Sequence, residues 1–206
     1  MAWRAVLDLV FPPQCACCNA IGSGFCDACA PRAQQIVARF PSLRVRAFGI
    51  YEGPLRAAVL ALKDGRRDVA EALGSRVAPL IEPRCVLVPI PTTSRRLRAR
   101  GLDGVAAVAR SAAAIAGAGI LAALEQRSGD AQRGRSRTQR LAAFGRFACS
   151  SEVAARRITL FDDVCTTGST LRDCAAAVRG AGGIVEDAVV LALTKSGSSW
   201  GLAMNC

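Results

Sequence analysis

Residues 158–170 read Ile-Thr-Leu-Phe-Asp-Asp-Val-Cys-Thr-Thr-Gly-Ser-Thr. The apolar, β-branched run from Ile158 to Phe161 predicts a buried strand. Two adjacent carboxylates, Asp162 and Asp163, stand at its C-terminal end. A short loop of hydroxyls and one glycine follows, and then a helix expected over Leu171 to Arg179. Open α/β sheets bind ligands at the carboxyl ends of their strands. A helix N-terminus adds free N–H groups and about half a positive charge, which suits a phosphate. Thr166, Thr167, Ser169 and Thr170 offer hydroxyl donors, and Gly168 lets a ligand approach the backbone closely. Acids beside a phosphate cradle call for a ligand that carries both a phosphate and a group preferring carboxylates. A phosphorylated ribose, with its diol, has both. The bland alternative is a solvated Asp-Asp turn with a hydroxyl N-cap. Other nucleotide motifs compete poorly. No Gly-x-x-x-x-Gly-Lys-Ser/Thr loop occurs, and Gly22-Ser23-Gly24 lacks a third glycine and a dinucleotide-type βα unit.

Outward from this stretch, strands and helices are expected to alternate. Leu43 to Ile50 has β character, Glu52-Gly53-Pro54 marks a turn, and Leu55 to Lys63 has apolar residues at helical spacing. A further helix is expected over Val69 to Leu80, and a short one opening with proline over Pro31 to Ala38. Cys85 to Pro91 reads as a buried strand running into a proline-stiffened loop. Leu102 to Ala116 reads as a helix ended by Gly117 and Gly119. Residues 125–150 are arginine-rich and aperiodic, so a long mobile loop is expected there. The last strand is expected over Ile184 to Leu193. Alternation of this kind indicates an α/β fold, a mainly parallel sheet flanked by helices.

The chain has 206 residues and a formal charge of +11, from 27 basic and 16 acidic side chains. Only Lys63 and Lys195 are lysines. The excess suits polyanions such as a pyrophosphorylated sugar, nucleic acid or an anionic membrane face, although an Ala- and Arg-rich proteome would produce it too. No apolar run approaches the roughly 20 residues of a membrane span. The opening segment to Phe11 reads as a short amphipathic helix rather than a leader, because Asp8 interrupts it and Pro12-Pro13 stops it. A cytoplasmic location is expected. With no histidine in the chain, no imidazole is available as acid or base.

Ten cysteines are present, five of them within residues 15–29. Cys15-x-x-Cys18 and Cys26-x-x-Cys29 flank a short turn with Gly22 and Gly24, the spacing of a four-thiolate Zn2+ site. The alternative is a group of reduced or opportunistically oxidised thiols. With all four sulfurs used, such a zinc is structural, with an apparent binding energy of roughly 10–16 kcal/mol coupled to local folding. Cys17 is surplus. The expected organisation is an N-terminal helix and double knuckle over 1–40 and an α/β domain over 41–206.

The 158–170 stretch resembles the phosphoribosyl-pyrophosphate signature of type I phosphoribosyltransferases. The chain as a whole resembles the ComF family of competence-associated phosphoribosyltransferase-like proteins. Beyond the signature, the match rests on the two-knuckle cysteine cluster, on Tyr51-Glu52-Gly53-Pro54-Leu55-Arg56 leading to Leu62-Lys63, on Val88-Pro89-Ile90-Pro91 with Arg100-Gly101 beyond it, and on Thr138-Gln139. The resemblance implies that Asp162 and Asp163 engage the ribose diol and that Thr166, Thr167, Gly168, Ser169 and Thr170 hold the 5-phosphate. It implies a pyrophosphate loop at Pro91, Thr92, Thr93, Ser94 and Arg95, with Mg2+ arriving on the ligand. It also implies a mobile loop carrying Arg135, Arg137, Thr138 and Gln139 over the reacting carbon. As partners it implies single-stranded DNA, DNA-uptake or DNA-processing proteins and a peripheral place at the membrane. Two departures weigh against transfer more than against binding. Leu102-Asp103-Gly104 replaces the usual Phe-Asn-Gln, and the mobile loop is contracted and lacks its asparagine. The alternative is a non-catalytic nucleic-acid or protein-docking adaptor that uses the cysteine lobe and the basic surface.

Overall fold

The computed structural model describes residues 12–31, 35–92, 102–127, 145–195 and 203–205. Its first half holds β1 (Gln35–Phe40), β2 (Leu43–Ile50), α1 (Gly53–Lys63), α2 (Arg67–Val77), β3 (Val86–Pro89) and α3 (Gly104–Ala116). The second half holds β4 (Gly119–Ile120), β5 (Leu124–Gln126), β6 (Phe147–Cys149), β7 (Arg157–Cys165), α4 (Ser169–Gly180), β8 (Ile184–Leu193) and β9 (Ala203–Asn205). A seven-stranded sheet runs in the order β4-β3-β7-β8-β2-β1-β9. The pairs β4–β3, β3–β7, β7–β8 and β8–β2 are parallel, and β1 is antiparallel to both its neighbours. The expected α/β class, with a mainly parallel sheet flanked by helices, is therefore present.

Strand alternation sorts the core into two layers. Leu87, Phe161, Val189, Leu191 and Phe48 face α1, α2 and α3. Val88, Leu160, Val190 and Val45 face α4 and the β5–β6 ribbon. The helices cover the sheet because their apolar residues recur at helical spacing, as in Leu55, Ala58, Val59 and Leu62 on α1. At one point two helices touch backbone to side chain: a Cβ on Gly74 of α2 would lie 2.4 Å from the Ser111 side chain of α3.

Three expectations are corrected. The helix expected over Pro31 to Ala38 is instead β1 from Gln35 onward, because Phe40 pairs with Leu43 across a Pro41-Ser42 turn and β2 supplies the ladder. The strand expected to stop at Phe161 continues to Cys165, held by β8 with Asp162 opposite Val190 and Cys165 opposite Leu193. The loop expected over 125–150 is ordered at both ends, where Leu124–Gln126 and Phe147–Cys149 pair antiparallel. The middle of that loop and the amphipathic helix expected up to Phe11 lie outside the described residues. The strand expected over Ile184 to Leu193 is present with those bounds, followed by the short β9. Among the described residues no helix is long and apolar enough to cross a membrane.

Candidate functional site

Asp162 and Asp163 are the sixth and seventh residues of β7, both half-buried, and alternation sends their side chains to opposite faces. Asp163 lies on the α1 side, where Lys63 Nζ stands 3.1 Å from its Oδ2. The same ammonium lies 6.0 Å from the centre of the Tyr51 ring. The local backbone serves the acids: Asp163 N–H donates to Asp162 Oδ1 at 2.8 Å, and Val164 N–H to Asp163 Oδ1 at 2.7 Å. Burial, then the neighbouring charge of Asp163, pushes the Asp162 carboxyl up to about 8, against a smaller opposing pull from Lys63. Lys63 is the cation that meets the pair.

The chain leaves β7 through a loop that opens α4. Thr166, Thr167 and Ser169 are exposed, Thr170 is half-buried and Gly168 is buried. Gly168 is the N-cap of α4 in the left-handed conformation, φ 69°. A Cβ there would fall 2.2 Å from Cε1 of Phe40, so only glycine fits both the backbone and the space. Thr167 Oγ1 accepts from Ser169 N–H at 3.4 Å and lies 3.3 Å from Ser169 Oγ, which turns the hydroxyls toward the helix start. Gly168, as N-cap, has no side chain to cap α4, and Thr167 Oγ1 meets only its first N–H. The start of α4 and the exposed hydroxyls of Thr166, Thr167 and Ser169 thus follow the acid pair at the C-terminal end of β7.

On the other flank of β7, Ile90 N–H donates to Phe161 O at 2.8 Å, which carries the exit of β3 alongside the acids. Pro91 and Thr92 follow, half-buried. Thr92 Oγ1 donates to Asp103 Oδ1 at 3.3 Å, and that same oxygen accepts from Ala106 N–H at 3.1 Å, making Asp103 the N-cap of α3. The Leu102-Asp103-Gly104 departure thus has a local role. Asp103 caps α3, and Gly104 lets it meet α1, since a Cβ there would come 2.9 Å from Leu62 Cγ. Thr93, Ser94 and Arg95 lie outside the described residues, as do Arg135, Arg137, Thr138 and Gln139.

Cys15, Cys18, Cys26 and Cys29 bring their sulfurs within 4.8 Å of one another. Thiolates arranged tetrahedrally around zinc at about 2.3 Å stand about 3.8 Å apart. Cys18 and Cys26 are already at 3.6 Å, and Cys26 N–H points at Cys15 Sγ at 3.5 Å. Burial would lift the Cys15 thiol, but the backbone N–H groups of Cys18, Cys26 and Cys17 outweigh it and bring it down to about 6. The Cys18 side chain and burial push Cys29 up. Four sulfurs gathered this closely need a cation to be held together as thiolates. The residues fit zinc. Exposed Cys17 stays outside the cluster.

The cysteine lobe is packed into the molecule rather than appended to it. Cys15 and Phe25 are fully buried in the same core as α1 and α2. A Cβ on Gly24 would strike the Asp68 backbone at 2.4 Å. Arg66 donates to Gln14 O, and Arg76 reaches Phe25 O at 3.3 Å and Asp27 Oδ1 at 2.5 Å. A cavity of ≈ 550 Å³ opens between lobe and sheet, lined by Cys29, Pro31, Ile36, Phe48, Ile50 and Leu55 among others.

Reading the sequence by sites missed Lys63, Tyr51, Phe40 and the capping role of Asp103. Tyr51 and Lys63 lie within a quoted family motif, which was the available signal. For Phe40 there was none.

No known family model matches the chain, and no curated protein matches it in sequence. Solved structures do match. One is an allosteric regulatory enzyme of purine biosynthesis, 19% identical, with a TM-score of 0.44, over 59% of this chain and 26% of that one. Another is a phosphoribosyltransferase from Corynebacterium diphtheriae, 15% identical, with a TM-score of 0.36, over 71% of this chain and 88% of that one. The chain thus spans about a quarter of the first of these structures and most of the second.

Proposed function

We propose that this protein binds phosphoribosyl pyrophosphate carrying Mg2+, as a phosphoribosyltransferase-like protein of the ComF type. The observation that carries the reading is what the end of β7 brings together. A half-buried acid pair leads into exposed hydroxyls and the glycine-capped N-terminus of α4. Asp162 and Asp163 take the ribose diol, and Thr166 to Thr170 take the 5-phosphate. Pro91 to Arg95 take the pyrophosphate, and Arg135, Arg137, Thr138 and Gln139 close over it. In transfer, a nitrogen lone pair would form the bond to the anomeric carbon as the carbon–oxygen bond breaks, its electrons leaving with pyrophosphate. Positioning and charge would be the protein's part in that step. Isothermal titration with the Mg2+ complex of phosphoribosyl pyrophosphate tests the claim. Heat of binding that disappears in the double variant Asp162→Asn/Asp163→Asn supports it.

The cysteine cluster holds a structural Zn2+ that fastens the lobe to α2. A role in DNA uptake, with single-stranded DNA and its processing proteins as cytoplasmic partners at the membrane, rests on the family resemblance and on 27 basic against 16 acidic side chains. The adaptor reading draws on the same charge. Single-strand binding with a log–log salt slope near −0.7 per phosphate contact supports both. Such binding together with silence toward the sugar phosphate favours the adaptor.

A further inference from the structure

Lys63 ends α1, and its ammonium rests on Asp163 with the Tyr51 ring beside it. The end of α1 abuts the start of α3, since a Cβ on Gly104 would come 3.3 Å from the Leu62 carbonyl oxygen. The start of α3 is in turn tied to Thr92 through Asp103. The end of α1 is therefore joined to Asp163 through Lys63 and, through the start of α3, to Thr92 at the exit of β3. We propose that Lys63 binds the pyrophosphate end of phosphoribosyl pyrophosphate, bridging it to Asp163. The inference rests on the reading above and adds the residue that senses the leaving group.

Donor accounting supports it. An ammonium has three N–H donors, and Asp163 is the one acceptor that Lys63 meets among the described residues. Its side chain is 30% exposed, so the remaining donors are within reach of a ligand. The choice of residue argues the same way. Of 27 basic side chains, all but Lys63 and Lys195 are arginine. A guanidinium opposite Asp163 would take both carboxylate oxygens with its planar fork, and its remaining donors would be fixed in that plane. A lysine, as a compact point charge, can serve a carboxylate and a phosphate oxygen together.

The chain's two lysines make the test direct. In reductive methylation read by mass spectrometry, Lys63 and Lys195 are the only side-chain amines. Lys195, paired with Glu52 at 2.6 Å, is the internal reference. Saturating phosphoribosyl pyrophosphate with Mg2+ should slow labelling of Lys63 about tenfold relative to Lys195, the scale of a charge-assisted hydrogen bond. Mg2+ pyrophosphate alone should protect likewise, and ribose 5-phosphate should not. Lys63→Met should weaken phosphoribosyl pyrophosphate about tenfold and leave ribose 5-phosphate within about twofold, and Lys63→Arg should restore part of the loss. Binding by the wild type with unchanged Lys63 labelling overturns this inference alone, as does equal protection by ribose 5-phosphate. Failure of the wild type to bind phosphoribosyl pyrophosphate overturns the functional reading, and this inference with it. Should Lys63→Met misfold, the labelling of the wild type still decides.

Discussion

Gly168 and Phe40 exclude any side chain at the start of α4: the ring carbon Cε1 of Phe40 occupies the place where a Cβ on Gly168 would fall, 2.2 Å away. Gly168 also sits at φ 69°, where an L side chain is strained. Gly168→Ala should therefore lower stability by about 1–3 kcal/mol, from left-handed strain plus displacement of the ring. Adding Phe40→Leu should recover the steric part and leave the strain. Urea unfolding of the wild type, the single variant and the double variant separates the two contributions. Equal stability of all three would contradict the packing described.

Asp162 makes stability depend on pH in a defined direction. Its folded value, pushed up to about 8 by burial and by Asp163, lies above its unfolded value near pH 4. Across that interval the native state holds a proton that the unfolded chain has released. This contribution is complete below about pH 4 and is lost progressively as pH rises to about 8. Asp162→Asn carries no such proton, so its stability relative to the wild type should rise over the same interval. Paired urea titrations across it check the sign, and a flat difference would show Asp162 ionised throughout.

The cysteine lobe should fail as a unit. One zinc per chain is expected, lost in Cys26→Ser and retained in Cys17→Ser. Because Cys15 and Phe25 share a core with α1 and α2, metal removal by a strong chelator should lower the melting temperature of the whole molecule. Calorimetry with and without chelator measures it. An unchanged main transition would mean that the lobe is dispensable to the fold.

Asp103 should behave as a helix cap. Asp103→Ala removes the acceptor for Ala106 N–H and Thr92 Oγ1, at a cost of about 0.5–2 kcal/mol. Asp103→Asn should retain most of that stability. If the two variants are equally destabilised, charge rather than capping is the cause.

How much of this was legible depended on whether the signal was local. The Ile184–Leu193 strand was, because the unbroken apolar run from Ala188 to Leu193, opened by β-branched Ile184 and Val185 after a Gly182-Gly183 turn, has few other fates. The cysteine cluster was too, since ligand spacing is written in the chain. The extension of β7 through Asp162 and Asp163 was not. Paired acids favour a turn, and only the ladder to Val190, Ala192 and Leu193 holds them in a strand. Gln35–Phe40 likewise became a strand because β2 lies beside it, a tertiary effect that outranks local propensity. At the site, the type and order of Asp162 to Thr170 were readable, but their partners were not. Lys63 reaches Asp163, and Phe40 reaches Gly168, across long stretches of chain that only the folded sheet closes.

The central claim is that the end of β7 holds a phosphoribosyl pyrophosphate site, and calorimetric titration of the intact protein with that ligand and Mg2+ tests it most directly. The account predicts saturable binding at one site per chain, abolished in Asp162→Asn/Asp163→Asn while the zinc content is unchanged. Absence of binding by the wild type, or an affinity indifferent to the double substitution, would contradict it.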